Sequence, residues 1–132
     1  MAQPYLSLKR AKTLLVEVVE TSPPGKRNGT ANEDTSVCAY LNDKGERCIV
    51  GEMLHRLGMP KPHEVGFGLA GNRFVSKGYM TKATKNWLQQ VQTIFDDGQF
   101  TTVKRDGVPH GFRFRPITWR SALAKVRKKG LL

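Results

Sequence analysis

Four residues of this 132-residue chain carry metal-binding chemistry: Cys38, Cys48, His55 and His63. Two thiolates and two imidazoles make a standard tetrahedral zinc set. Their separations of nine, six and seven intervening residues are not those of a compact zinc module. His55, between Leu54 and Arg56, falls on the polar side of its expected helix and away from the strands that carry the cysteines. No metal is therefore expected, and the two cysteines are read as buried and unoxidised in a hairpin core. A disulfide needs the two Cβ atoms about 4 Å apart, which only some strand registers permit. In a reducing cytosol it is the minority outcome.

Gly66-Phe67-Gly68-Leu69-Ala70-Gly71 matches G-x-G-x-x-G, whose chemistry is to cradle a pyrophosphate against a helix N-terminus. That function needs a strand before the motif and a helix after it. KPHEV is a poor buried strand and NRFVSKGYM a poor helix opening, so the expectation is a loop with several positive φ angles and no cofactor. Paired carboxylates occur at Glu17 and Glu20, Glu33 and Asp34, and Asp96 and Asp97. Each pair reads as solvated surface or turn. Nothing sets a histidine beside a Ser or Cys nucleophile with an orienting acid, so no enzyme is expected.

The signal that survives is charge. The chain has 22 Lys and Arg against 11 Asp and Glu, a formal net charge of +11. Residues 1–103 carry +3 of it, and 104–132 carry +8. The contributors at that end are Lys104, Arg105, Arg113, Arg115, Arg120, Lys125, Arg127, Lys128 and Lys129, against Asp106 alone. Such a surface attracts phosphate backbones by displacing condensed counterions, with weak dependence on base sequence. The same charges serve docking to an acidic protein. A solvated basic coat that aids solubility is the plainer alternative.

The elements that must present this charge follow from periodicity. Leu8, Ala11, Leu15, Val18 and Val19 mark a helix over 8–20 with Ser7 as its N-cap. Pro23 and Pro24 stop it, and 21–35 is a long loop, either mobile or functional. SVCAYL, NDKG and ERCIV read as a hairpin over about 36–50. Val50, Met53, Leu54 and Leu57 form a short helical stripe ended by Gly58. Residues 59–80 show no clear period. Thr81 caps a helix over 82–96, closed by Gly98, with Trp87, Leu88, Val91, Ile94 and Phe95 on one face. A second hairpin spans 99–115, where Phe112 and Phe114 alternate with Arg113 and Arg115, so that one face packs and the other carries guanidinium groups. Thr118 caps the last helix, with Trp119, Ala122, Leu123 and Val126 inward and Gly130 at its end. The order predicts a small single α+β domain, 1–132, with about four helices and two antiparallel hairpins.

CAYLNDKGERCIVGEMLHRLGMP resembles a segment of small proteins from actinobacteria and their phages, in which a Cys-Ile-Val-Gly run after a hairpin leads into a helix ending in Leu-Gly. WLQQVQTIFDDG and TWRSALAKV resemble the two helices that follow there, although a basic hairpin separates them here. The resemblance covers about half the chain. It implies an origin and a core, and no chemistry; the hairpin at 99–115 and the charged tail lie outside it.

The expectation is a non-enzymatic, phage-type accessory protein that binds nucleic acid through its basic C-terminal hairpin and helix. The alternative is a factor that binds an acidic host protein and inhibits or redirects a bacterial process. No run approaches the roughly 18 apolar residues of a spanning helix, so no membrane partner is expected. MAQPYLSLKR lacks the apolar centre of a signal peptide, which points to the cytoplasm.

Overall fold

The computed structural model describes residues 3–29, 45–60 and 67–132. Along them run α1 (Leu8–Glu20), α2 (Ile49–Arg56), α3 (Phe67–Ser76), α4 (Lys82–Phe95), β1 (Gly98–Arg105), β2 (Val108–Pro116) and α5 (Trp119–Lys128). The described residues thus form an α+β arrangement of five helices and one two-stranded antiparallel sheet.

The helices begin where short polar side chains replace missing acceptors. Ser7, Thr81 and Thr118 hold extended backbone, and each accepts a hydrogen bond from the amide three residues on, those of Arg10, Thr84 and Ser121. Cys48 stands in the same place before α2, its sulfur accepting from the Gly51 amide at 3.3 Å. α2 and α5 end ahead of glycines with positive φ, Gly58 at 71° and Gly130 at 71°, a conformation that costs a side chain but not glycine.

α4 is the hub of the core and touches each of the other four helices. Its buried face of Trp87, Leu88, Val91, Ile94 and Phe95 meets Ala11, Leu14, Leu15, Val18 and Val19 of α1, together with Trp119, Ala122, Leu123 and Val126 of α5. Each such aliphatic or aromatic burial contributes about 1.5–3 kcal/mol. The Trp87 indole donates to the Leu131 carbonyl at 2.7 Å, which ties the chain beyond α5 back to α4.

Three expectations need correction. The stretch without a clear period contains α3, and its G-x-G-x-x-G residues Gly68 and Gly71 are helical rather than loop positions of positive φ. Each glycine costs a helix about 1 kcal/mol; packing on α4, with Phe74 buried edge-on to Tyr79 at 5.6 Å between ring centres, outweighs that cost. Ile49 and Val50, read both as the end of the ERCIV strand and, in Val50, as the start of the helical stripe, belong to the helix: they form the first turn of α2, where both are fully buried. The other strand of that hairpin falls at 36–41, outside the described residues. Finally, Cys48 is fully buried and disulfide-bonded, so it is not the unoxidised thiol expected. Cys38, the chain's other cysteine, lies outside the described residues.

The hairpin expected at 99–115 is present and slightly longer, paired from Gly98↔Pro116 to Arg105↔Val108. Asp106 at φ 54° and Gly107 at φ 78° fill the two-residue turn, as a type I′ turn requires. Gly111 at φ 116° lies in a bulge where β2 has one more residue than β1. At the root, Gly98 lets the strands close: a Cβ there would overlap the Arg115 carbonyl and stand 2.8 Å from the Pro116 Cα. Gly98→Ala is therefore expected to lower stability by about 1–3 kcal/mol through backbone displacement. Urea unfolding measures it, and an unchanged midpoint would show that the root re-spaces freely.

Candidate functional site

Cross-strand partners point to the same side of a ribbon, so the register sorts its side chains. One face carries Phe100, Thr102, Lys104, Pro109, Phe112 and Phe114. The other carries Gln99, Thr101, Val103, Arg105, Val108, Arg113 and Arg115. The alternation of aromatic and guanidinium faces is as expected. The packing is not: Phe114 is buried, but Phe100 is 56% and Phe112 62% exposed. Phe100 rests on Phe114 with ring centres 4.8 Å apart, and the outer part of the face meets solvent.

The guanidinium face adjoins α5. Gln99, Thr101 and Arg115 line a recess of about 380 Å³ together with Arg27, Asp97 and Lys125. A neighbouring recess of about 750 Å³ is lined by Asp96, Asp97, Lys125, Lys128 and Lys129. Lys125 and Asp97 belong to both, so a continuous cationic strip runs from Arg115 past Arg27 and Lys125 to Lys128 and Lys129. Arg113 and Arg105 extend the same face toward the ribbon tip.

The nine expected residues therefore do not share one surface. At 100° per residue, Lys125 and Lys129 flank the buried stripe of α5 on one side, and Arg120 and Arg127 flank it on the other. Arg127 reaches Glu20 of α1 at 4.0 Å. Lys104 lies on the aromatic face of the ribbon. The strip keeps Arg105, Arg113, Arg115, Lys125, Lys128 and Lys129.

Sequence reasoning missed Arg27. It belongs to the loop after α1, yet it pairs backbone to backbone with Thr118, and its guanidinium donates to the Pro116 carbonyl at the ribbon root. Lys26 beside it accepts, through its carbonyl, from the Trp119 amide at 2.8 Å, and its ammonium stands 5.5 Å from the Trp119 ring centre. The one available signal was a Lys-Arg pair inside a loop too long to be a mere connector.

Two acids, Asp96 and Asp97, lie among these cations. Asp97 accepts from the Lys125 ammonium at 2.7 Å, and that bond holds its carboxyl below the usual range. Asp97 also accepts from the Gly98 amide at 2.9 Å, and its carbonyl accepts from the Ile117 amide at 2.9 Å, so it latches the ribbon root to α5.

Behind the strip lies a polar cluster. The Asn28 side-chain oxygen accepts from the Ile49 amide and the Trp119 indole, both at 2.8 Å, and its nitrogen donates to Asp96 at 2.9 Å. Gln92 donates to the same Asp96 oxygen at 2.7 Å. Asp96 was expected to be a solvated turn residue. Burial instead raises its pKa from 3.8 to about 6, against the opposing pull of the Gln92 and Asn28 hydrogen bonds.

Of the four expected metal-type residues, His55 is exposed on α2 and the Cys48 sulfur is committed to its disulfide, while Cys38 and His63 lie outside the described residues. No group of three or more His, Cys, Asp or Glu suited to a metal occurs among the described residues. No helix among them is long and apolar enough to cross a membrane. Comparison with known protein families, curated proteins and solved structures finds no match to the chain.

Proposed function

We propose that this protein is a non-enzymatic nucleic-acid binder that holds phosphates along Arg115, Arg27, Lys125, Lys128 and Lys129. The observation that carries the reading is the adjacency of two cationic recesses, built from three separate parts of the chain and sharing Lys125. A merely solvated basic coat has no need of such convergence. Lysine and arginine spaced along a groove meet a repeating polyanion at several points, each releasing a counterion. The Arg113 and Arg105 face of the ribbon lengthens the track.

The division of α5 into two flanks supplies the test. Replacing Arg115, Lys125, Lys128 and Lys129 together with glutamine is expected to lower the slope of log affinity against log salt by about 3, read between about 50 and 200 mM salt. All four are exposed, so the fold should persist. Replacing Arg120 and Arg127, on the opposite flank, should change affinity far less. Fluorescence anisotropy with a mixed-sequence duplex and a single strand reads both. No binding to either at low salt, or affinity indifferent to salt, would overturn the proposal and leave an acidic protein as the partner that the strip fits.

A further inference from the structure

We infer that the aromatic face of the ribbon is a stacking platform for the bases of single-stranded nucleic acid, an inference that rests on the phosphate strip proposed above. A two-stranded ribbon with one apolar face in water is marginal by itself and gains from a cover. Among the described residues this ribbon has no substantial packing partner apart from its own second strand. Among the described residues, Phe100 and Phe112 on its aromatic face and Val108 on the reverse are large, exposed hydrophobic side chains.

The charge of the ribbon selects the cover. Lys104 is the charged side chain of the aromatic face, Arg105, Arg113 and Arg115 stand on the reverse of the same ribbon, and its one acid, Asp106, is confined to the turn. A second copy would add a second basic ribbon beside the first and bring no opposite charge to Lys104. An anionic partner with flat apolar faces meets both demands, and single-stranded nucleic acid is such a partner. In a duplex the base faces are hidden by their neighbours in the stack; in a single strand they are open to aromatic rings. Phe100 on β1 and Phe112 on β2 are diagonal neighbours across the ribbon, about 7–8 Å apart. Phe100 and Phe112 therefore offer two successive surfaces, with Lys104 next along the same face for a phosphate.

The experiment compares a thymidine strand of about 20 nucleotides with an abasic strand of equal length and charge, and with a duplex. The intact protein is expected to bind the thymidine strand about tenfold more tightly than the abasic one. Phe112→Ala should lose about that factor on the thymidine strand alone and leave duplex and abasic binding unchanged. Phe112 projects into solvent, so its loss does not open the core. Phe112→Leu should fail to restore binding, because it is apolar but cannot stack. Phe112→Trp should restore it, with indole emission quenched on mixing. Equal affinity for thymidine and abasic strands, with salt dependence retained, overturns the platform and leaves the phosphate strip standing. Loss of salt-dependent binding to every strand overturns both. A dimer that needs Phe112, with no effect of Phe112→Ala on strand binding, assigns the face to a second copy and overturns the inference.

Discussion

Asn28→Ala should cost about 3–5 kcal/mol, the sum of two buried donors left without an acceptor at about 1–3 kcal/mol each and one lost bond to Asp96. The donors are the Ile49 amide and the Trp119 indole, which both converge on the Asn28 oxygen. Asn28 itself is 5% exposed, and alanine offers neither acceptor nor donor in its place. A small domain has roughly 5–15 kcal/mol in all, so the variant should be near its unfolding threshold at ambient temperature. Urea unfolding followed by tryptophan emission checks it; a loss below about 1 kcal/mol would show that water satisfies the two donors. The effect should reach the strip as well. Asn28 joins the loop after α1 to the starts of α2 and α5 and the end of α4, and Arg27 is its immediate neighbour. Loosening it lets Arg27 leave the ribbon root.

Nothing in the chain's local pattern marks Asn28. An asparagine in TSPPGKRNGT reads as turn chemistry, because that is what asparagine does when only neighbours in sequence are considered. Its role arises from partners 21, 68 and 91 positions away. Capped helices were legible for the opposite reason: Ser7, Thr81 and Thr118 each act on an amide three residues ahead, within the reach of local reading. α3 was hidden because two glycines lower local propensity while the compensating contacts lie on α4.

The candidate site divides in the same way. The gathering of charge after residue 103 is plain in the sequence, and so, from the helical period, is the split of Lys125 and Lys129 from Arg120 and Arg127. Strand alternation likewise tells that Phe112 and Phe114 share a face; that Phe100 joins them depends on the bulge at Gly111, since an unbroken register from the turn would pair Phe100 with Arg113. It does not tell whether another element covers that face, and here only Phe114 is covered. Burial of Cys48 was legible as well, since cysteine is among the residues most often found inside. Its oxidation depends on where a second sulfur stands in space, which local spacing does not determine.

Asp96→Asn should stabilise the protein at neutral pH and leave it nearly unchanged in acid. Burial holds the Asp96 pKa near 6 against 3.8 when exposed, so between those values the folded chain keeps a proton that the unfolded chain has released. The stabilisation is complete below about pH 4 and is lost as pH rises through 6. The full span corresponds to about 3 kcal/mol. Asparagine keeps an acceptor for Asn28 and Gln92 and never ionises. The measurement is the difference in unfolding free energy between wild type and Asp96→Asn at about pH 4.5 and 7.5. Taking the difference removes the titration of all other carboxylates, which both proteins share. A gap that opens toward neutral pH is the expected result, and one that stays constant would mean that Asp96 is as ionised in the fold as it is in the unfolded chain. Because Asp96 lines the recess shared with Lys125, Lys128 and Lys129, its ionisation also sets the charge that a bound phosphate meets. Strand affinity should therefore fall as pH rises from about 5 to 7 in wild type and not in Asp96→Asn, so that stability and binding report the same proton.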